Sequence, residues 1–302
     1  MPNRSGLPRA GLPRRVKLAD LTTLGVGGEA ELWEVESVEE LLEATAEPYR
    51  VLGGGSNLLV ADGGVSDRVV KLGRAFNDVR TFGDTTDVWL GAATPLPGLV
   101  RRSAEAGLSG LEGLLGVPAV LGGAIAMNAG TRFGEISDTL QEVELLLDGQ
   151  TERLDAALLG LSYRHSELPK GAVVTRARLR LTPSSPERVR EALSRVDAAR
   201  RGQPKVKSAG CAFKNPAGDS AGRLIDVAGL KGLQVGGARV SQEHGNFVVN
   251  TGGATARDVV ELLEQVRARV GGLKTEWELW GFPEGTLSVT KSSTVEETLC
   301  AR

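Results

Sequence analysis

The sequence predicts an α+β chain built of more than one domain, and three observations carry that expectation. Strand-like alternation and helix-like spacing of apolar residues both occur, in mixed order along the chain. The 40 glycines cluster in pairs and triplets without a repeat, which points to many turns that face a ligand. The composition also changes at Gly202-Gln203-Pro204, where a domain boundary is expected. A length of 302 residues allows one large domain or two to three small ones, with ample core.

Composition excludes several classes. Hydrophobic residues at 41% and charged residues at 25% are those of a soluble globular protein. A net charge of -2 gives no sign of a general nucleic-acid or membrane surface. Two cysteines, Cys211 and Cys300, are too few for a disulfide framework and suit a reducing cytoplasm. No apolar run approaches the roughly 20 residues of a membrane span. Residues 1–15 carry Arg4, Arg9, Arg14 and Arg15 with no apolar stretch after them, so they read as a loose tail rather than a signal peptide. His165 and His244 are the only histidines, and no metal-ligand spacing or P-loop lysine occurs.

The elements follow in order. Gly25, Gly27 and Ala30 satisfy the G-x-G-x-x-A dinucleotide fingerprint, but a polar segment precedes them and Glu31 to Glu36 alternates like a half-exposed strand. That context rejects a Rossmann reading. Ser37 and Glu40 form a capping box that opens a helix to about Ala46. Strands are expected between Val69 and Ala93, then a helix starting at Pro97 and closing at Gly107. Val143–Leu147 and Val173–Leu181 read as strands. Ser185 and Pro186 start a helix carrying Val189, Leu193 and Val196, with a basic last turn from Arg195 to Arg201. That basic turn suits either the helix dipole or a phosphate. Thr255 and Asp258 cap an amphipathic helix with Val259, Leu262, Leu263, Val266 and Val270 on one face.

The chain is organised around Val51 to Val60, where two apolar runs flank Gly53-Gly54-Gly55-Ser56-Asn57. Three glycines in a row are entropically costly and are tolerated where the backbone turns tightly or presses against a partner. Bare N–H groups in such a turn form a concavity for anions, while the bland alternative is a hairpin turn between two strands. A second glycine-rich run, Leu111 to Gly130, is too apolar for a surface loop and too broken by glycine for one helix. It reads as buried backbone passing close to a ligand, or as a tightly packed helix.

Taken together these stretches resemble the UDP-N-acetylenolpyruvoylglucosamine reductase family, over residues 16 to 281. The resemblance rests on Thr22-Thr23 with Gly27-Gly28, the Gly53 to Asn57 loop, Pro118 with Gly122-Gly123-Ala124, and Asn128-Ala129-Gly130. Ser162-Tyr163-Arg164-His165-Ser166, Ala209 to Pro216 and Leu273-Lys274-Thr275-Glu276 complete it. It implies a two-subdomain FAD-binding fold of the flavin oxidase (PCMH) type and a third, substrate-binding α+β domain. The corresponding division is 16–73, 74–200 and 201–281, with tails at 1–15 and 282–302. The absence of a long tyrosine-bearing insertion places the chain with the shorter subclass.

What the family implies is an NADPH-reduced flavoenzyme of peptidoglycan synthesis, cytoplasmic and monomeric, acting on a UDP-sugar without nucleic-acid or membrane partners. FAD contacts are implied at Gly53, Gly54, Gly55, Ser56, Asn57, Pro118, Gly122, Gly123, Asn128, Ala129 and Gly130, and substrate contacts at Lys214, Asn215 and His244. Arg164 would meet enolate charge, for which a planar, permanently protonated guanidinium is suited. Cys211 stands where the family usually has serine, and would give the proton. A thiol, with a reference pKa of about 8.5, is mostly neutral at pH 7. Glu276 would assist Arg164, with Glu278 two residues away as the alternative. Competing readings are an FAD-linked hydroxy-acid or sugar oxidase of the same fold, and a non-catalytic sugar-nucleotide-binding protein.

Overall fold

A computed structural model describes residues 12–79 and 85–287. The first sheet holds β1 (Arg14–Lys17), β2 (Glu29–Val35), β3 (Tyr49–Val51) and β5 (Arg68–Leu72), in the order β1-β2-β5-β3. Strand β2 turns Ala30 and Leu32 into one core while Glu29 and Glu31 face solvent, the alternation expected of a half-buried strand; farther along, Trp33 and Val35 on the opposite face are buried in a second core. Arg14 and Arg15, assigned to the tail from sequence, instead pair with Leu32 and Glu31 along the sheet edge. Residues 1–11 and Cys300 lie outside the described residues.

Helix α1 (Val38–Ala44) stops two residues before the expected Ala46, where the Thr45 hydroxyl donates to the Leu41 carbonyl at 2.8 Å. Ser37 accepts the Glu40 N–H as predicted. The Glu40 carboxylate, however, accepts the N–H of Glu36 at 2.6 Å rather than that of Ser37.

The glycine triplet joins β3 to β4 (Leu58–Val60), and those strands do not pair with each other. Strand β3 lies parallel to β5, whereas β4 lies parallel to Glu278–Trp280, returning from the far end of the chain. The turn therefore connects two sheets and is no hairpin. Gly27 and Gly28 serve the same packing. A Cβ on Gly28 would sit 2.2 Å from the Asp62 carbonyl, and one on Gly27 (φ +133) would sit 2.7 Å from Val60 Cβ. Close backbone approach, rather than a nucleotide, explains that fingerprint.

The second sheet contains β6 (Asp87–Gly91) and strands Val173–Arg180, Leu140–Leu147 and Gln150–Asp155, all antiparallel. Ala177 and Leu179 point into its core, while Arg176, Arg178 and Arg180 face outward to Asp78, Glu142 and Asp87. Helix α2 (Leu96–Ala106) carries Pro97 in its first turn and closes at Gly107 (φ +65). The second glycine-rich run resolves into a 3-10 turn (Glu112–Leu114) and the short helix α3 (Leu121–Ala126). Helix α4 (Pro186–Ala199), capped by Ser185, packs against α2.

Beyond the expected boundary lies a third sheet of Ser208–Cys211, Phe247–Asn250, Ala238–Val240 and Gln234–Val235. Helices α5 (Ala221–Val227) and α6 (Ala256–Val270) accompany it. Both halves of the Thr255–Asp258 capping box form, and Val259, Leu262, Leu263 and Val266 of α6 are fully buried. Each such side chain contributes about 1.5–3 kcal/mol on burial. Leu24, Val26 and Leu59 from the first segment enter this same core. The Asp62 carboxylate accepts the N–H groups of Ala256 (2.7 Å) and Arg257 (3.2 Å), tying α6 to the first sheet. Among the described residues no helix is long and apolar enough to cross a membrane.

Candidate active site

The loop from Gly53 to Asn57 enters the gap between the first and second sheets, opposite the start of α3. Among the described residues, none of its five backbone N–H groups has a protein acceptor, and neither has that of Gly123. Unpaired N–H groups are costly unless water or a ligand accepts from them, so this array is suited to an anion. A Cβ on Gly54 would lie 2.8 Å from the Pro118 carbonyl, whereas one on Gly53 would make ordinary contact with Gly123 Cα at 3.5 Å. Gly54 thus lets the two loops close on each other. Only Gly55 of the triplet has positive φ (+62), so the left-handed turn expected of the triplet belongs to that residue alone.

Three adjoining cavities run along this seam. One of about 440 Å³ is lined by Gly53, Gly122 and Gly123 and, at its polar end, by Glu34, Lys71 and Arg74. It shares Gly53, Gly123 and Ala126 with a smaller cavity around Gly54 to Asn57. That one shares Ser56, Asn57, Ala119 and Met127 with a third, of about 360 Å³. Into the third face Pro118, Ala129, Gly130, Arg164, Cys211, Asn215, His244 and Glu276, with Arg132, Phe133 and Arg200.

Arg164 and Glu276 meet although 112 positions apart: Arg164 Nε donates to Glu276 Oε1 at 3.0 Å. Chain topology makes the meeting possible. Glu278 N–H donates to the Asn57 carbonyl (3.0 Å) and the Asn57 amide donates to the Glu276 carbonyl (3.2 Å), so the glycine loop itself fixes the C-terminal segment. Arg164 sits at φ +54 in a tight turn closed by Ser162 and His165, a conformation a non-glycine residue adopts only when its surroundings hold it. Its Nη2 donates to the Gly130 carbonyl at 2.6 Å, its Nη1 to Glu135 at 3.4 Å, and Tyr163 stacks 4.9 Å away. Burial raises the Glu276 carboxyl above its ordinary value, with Arg164 and Lys214 acting against it. Glu278 is placed differently: its carboxylate accepts the Trp280 indole N–H at 2.9 Å.

Cys211 stands at the end of the third sheet, past a register shift between Ser208 and Cys211. Such bulges re-aim a side chain next to a site. Although the residue opens onto the cavity, its packed surroundings push the thiol up to about 12, burial first and the Glu276 charge second. That corrects the reference value applied to the sequence, and it holds the proton on sulfur across the working pH range. At pH 8 a thiol with a pKa near 12 has roughly 10³-fold less thiolate than one near 8.5. Iodoacetamide should therefore label Cys211 on the order of 10³ times more slowly in the native protein than in urea. Equal rates would contradict the burial.

The other expected site residues are distributed unevenly. The Nδ1 of His244 accepts the Asn246 N–H (3.2 Å), which leaves Nε2–H free to donate, and burial lowers the imidazole pKa so that it stays neutral. The Asn215 side chain accepts the Ala221 N–H (3.0 Å) at the cavity edge. Lys214 donates to the carbonyl of Arg164 at 3.1 Å, so it braces the arginine turn. Asn128, expected among the cofactor contacts, is buried, and its amide is committed to Glu135 and the Ser162 carbonyl, both at 2.9 Å. Of the basic turn after α4, Arg200 reaches the cavity and donates to the Gly116 carbonyl (3.1 Å). Glu135 and Asn246 were not singled out from sequence. Isolated acidic and amide residues carry no local pattern, and their roles arise from contacts 29 and 33 positions away.

Residues 31–155 match the family model of the FAD binding domain. Cradle, seam and polar cavity together define an FAD-dependent oxidoreductase. Residues 203–279 match the model of the UDP-N-acetylenolpyruvoylglucosamine reductase C-terminal domain. The reductase of Thermus thermophilus is 57% identical, over 88% of this chain and 98% of its own, and that of Deinococcus radiodurans is 52% identical over 88% and 95%. The crystal structure of the reductase from Thermus caldophilus superposes with a TM-score of 0.86 at 56% identity, covering 89% of this chain and 99% of that one. The chain belongs to the UDP-N-acetylenolpyruvoylglucosamine reductase family.

The glycine seam yields a direct test. Gly54→Val puts branched carbon against the Pro118 carbonyl and should part the two loops. Overpacking of this kind costs typically 1–3 kcal/mol, so flavin affinity should fall about ten- to a hundredfold. Flavin absorbance per folded chain reports the outcome. A folded variant that stays fully yellow would mean that the Gly54 contact does not shape the cradle.

Proposed function

We propose that the protein reduces the enolpyruvyl group of UDP-N-acetylenolpyruvoylglucosamine to UDP-N-acetylmuramate with NADPH, in peptidoglycan synthesis. The observation that carries this reading is the convergence of Arg164, Glu276 and Cys211 on one cavity, contiguous with the unpaired N–H groups of the Gly53 to Asn57 loop. That array fits the pyrophosphate of FAD, and the first cavity, with Glu34, Lys71 and Arg74, suits its adenosine end. Bound FAD supplies the hydride relay from NADPH to the substrate's methylene carbon.

This chain's residues do the rest. As charge develops on the neighbouring carbon and its carboxylate, Arg164 meets it with a guanidinium preorganised by Glu276, Glu135 and the Gly130 carbonyl. Glu276 holds Nε of that guanidinium and thereby sets its direction. Cys211 transfers the thiol proton to the carbanionic carbon, a role that requires a neutral donor. His244 Nε2–H and the Asn215 amide line the part of the cavity left for the sugar nucleotide.

Anaerobic stopped-flow mixing tests the whole reading. NADPH should bleach the flavin absorbance, and the enolpyruvyl substrate should then restore it. Restoration by oxygen alone would replace this reading with that of an oxidase, and absence of bleaching with that of a binding protein.

A further inference from the structure

Arg164 is gripped from two sides by carboxylates of different origin, and only Glu276 has a place in the chemistry above. Glu135 ends a small hairpin (Gly130–Thr131 with Gly134–Glu135) beside the catalytic cavity. Its Oε1 accepts from Arg164 Nη1 at 3.4 Å, and its Oε2 accepts from Asn128 Nδ2 at 2.9 Å. The same Asn128 nitrogen donates to the carbonyl of Ser162, two residues before Arg164 (2.9 Å). Three hydrogen bonds, from Arg164 to Glu135, from Asn128 to Glu135 and from Asn128 to the Ser162 carbonyl, thus close a ring with the backbone from Ser162 to Arg164, around the strained arginine turn. Asn128 itself adopts φ +44 to take part.

We propose that Glu135 is a positioning residue that aims the Arg164 guanidinium at the substrate carboxylate. The inference rests on the role of Arg164 given above. A guanidinium has five N–H donors. Glu276, Glu135 and the Gly130 carbonyl take one each, on Nε, Nη1 and Nη2. One N–H on each terminal nitrogen remains, the pair that can grip a carboxylate in a fork. Without Glu135 the Nη1 anchor is gone, the ring opens, and the turn is free to relax from positive φ. Displacement of a reacting group by about 1 Å can cost around 10² in rate.

The test is a double-mutant cycle on the flavin-loaded enzyme, with Glu135→Ala, Arg164→Ala and the pair. Glu135→Ala should slow reoxidation by the enolpyruvyl substrate roughly 10- to 100-fold and slow reduction by NADPH far less. In the Arg164→Ala background it should slow reoxidation no further, because residues acting through one another are not additive. Calorimetric binding of UDP-N-acetylmuramate to the oxidised enzyme should follow the same pattern, and Glu135→Gln should recover part of both losses. Equal slowing of both half-reactions, or the same factor in both backgrounds, overturns the proposal. If Arg164→Ala alone reoxidises normally, the assigned role of Arg164 falls. If it is slow while Glu135→Ala is normal, only the role of Glu135 falls.

Discussion

Cys211→Ala should abolish most of the substrate half-reaction while leaving reduction by NADPH near its normal rate. A positioned general acid contributes typically 10²–10⁴-fold, and the thiol proton has no evident substitute among the groups that face it. Arg164 and Glu276 bond each other, and the Asn246 side chain, which bonds both the Phe213 backbone and Cys211, is an amide that gives up no proton. Cys211→Ser should keep substantial activity, since a hydroxyl of similar size can donate from the same bulge. The sign of the pH effect follows from burial. A thiol pushed up to about 12 keeps its proton as pH rises, so an alkaline loss of rate well below that value belongs to another group. Single-turnover reoxidation of the alanine variant decides the matter. A rate near wild type would leave Cys211 as packing and move the proton source elsewhere.

The second large effect is expected at Arg164. Arg164→Ala should retain FAD and its reduction by NADPH, yet slow reoxidation by the enolpyruvyl substrate by about 10²–10³, the usual cost of removing one preorganised donor. The change also strips Glu276 of its cation. Burial already raises that carboxyl and the arginine opposes the rise, so in the variant Glu276 should hold a proton to still higher pH. Arg164→Lys should rescue little, because an ammonium is a point charge and cannot span three acceptors in the plane of a guanidinium. Normal substrate-driven reoxidation in the alanine variant would remove Arg164 from the mechanism.

Much of the fold could be read from local chemistry. The caps at Ser37, Ser185 and Thr255, Pro97 near a helix start and Gly107 at its end act over a few residues, and each is found in the structure. The arginine-rich face of Val173–Arg180 was likewise visible as an alternation. Errors arose where a partner far along the chain decides. Arg14 and Arg15 have no strand signal of their own and become a strand because β2 offers an edge. The glycine triplet looked compatible with a hairpin because a turn's sequence does not say which strands its flanks will join.

By itself, then, the sequence determined the kinds of element, the glycine loops and the residue types needed for carboxylate recognition and proton donation. Tertiary structure alone decided that Glu276 rather than Glu278 faces Arg164: Glu276 lies ahead of the strand Glu278–Trp280, where its N–H donates to the Ala212 carbonyl, while the Glu278 carboxylate is held by the Trp280 indole N–H. It decided equally that Asn128 turns into the protein, that Lys214 braces a turn, and that the Cys211 thiol titrates far above its reference value. Desolvation and hydrogen-bond geometry are properties of what surrounds a group. For each of these residues a deciding partner comes from a segment more than 25 positions away: Ser162 for Asn128, Arg164 for Lys214 and Glu276 for Cys211.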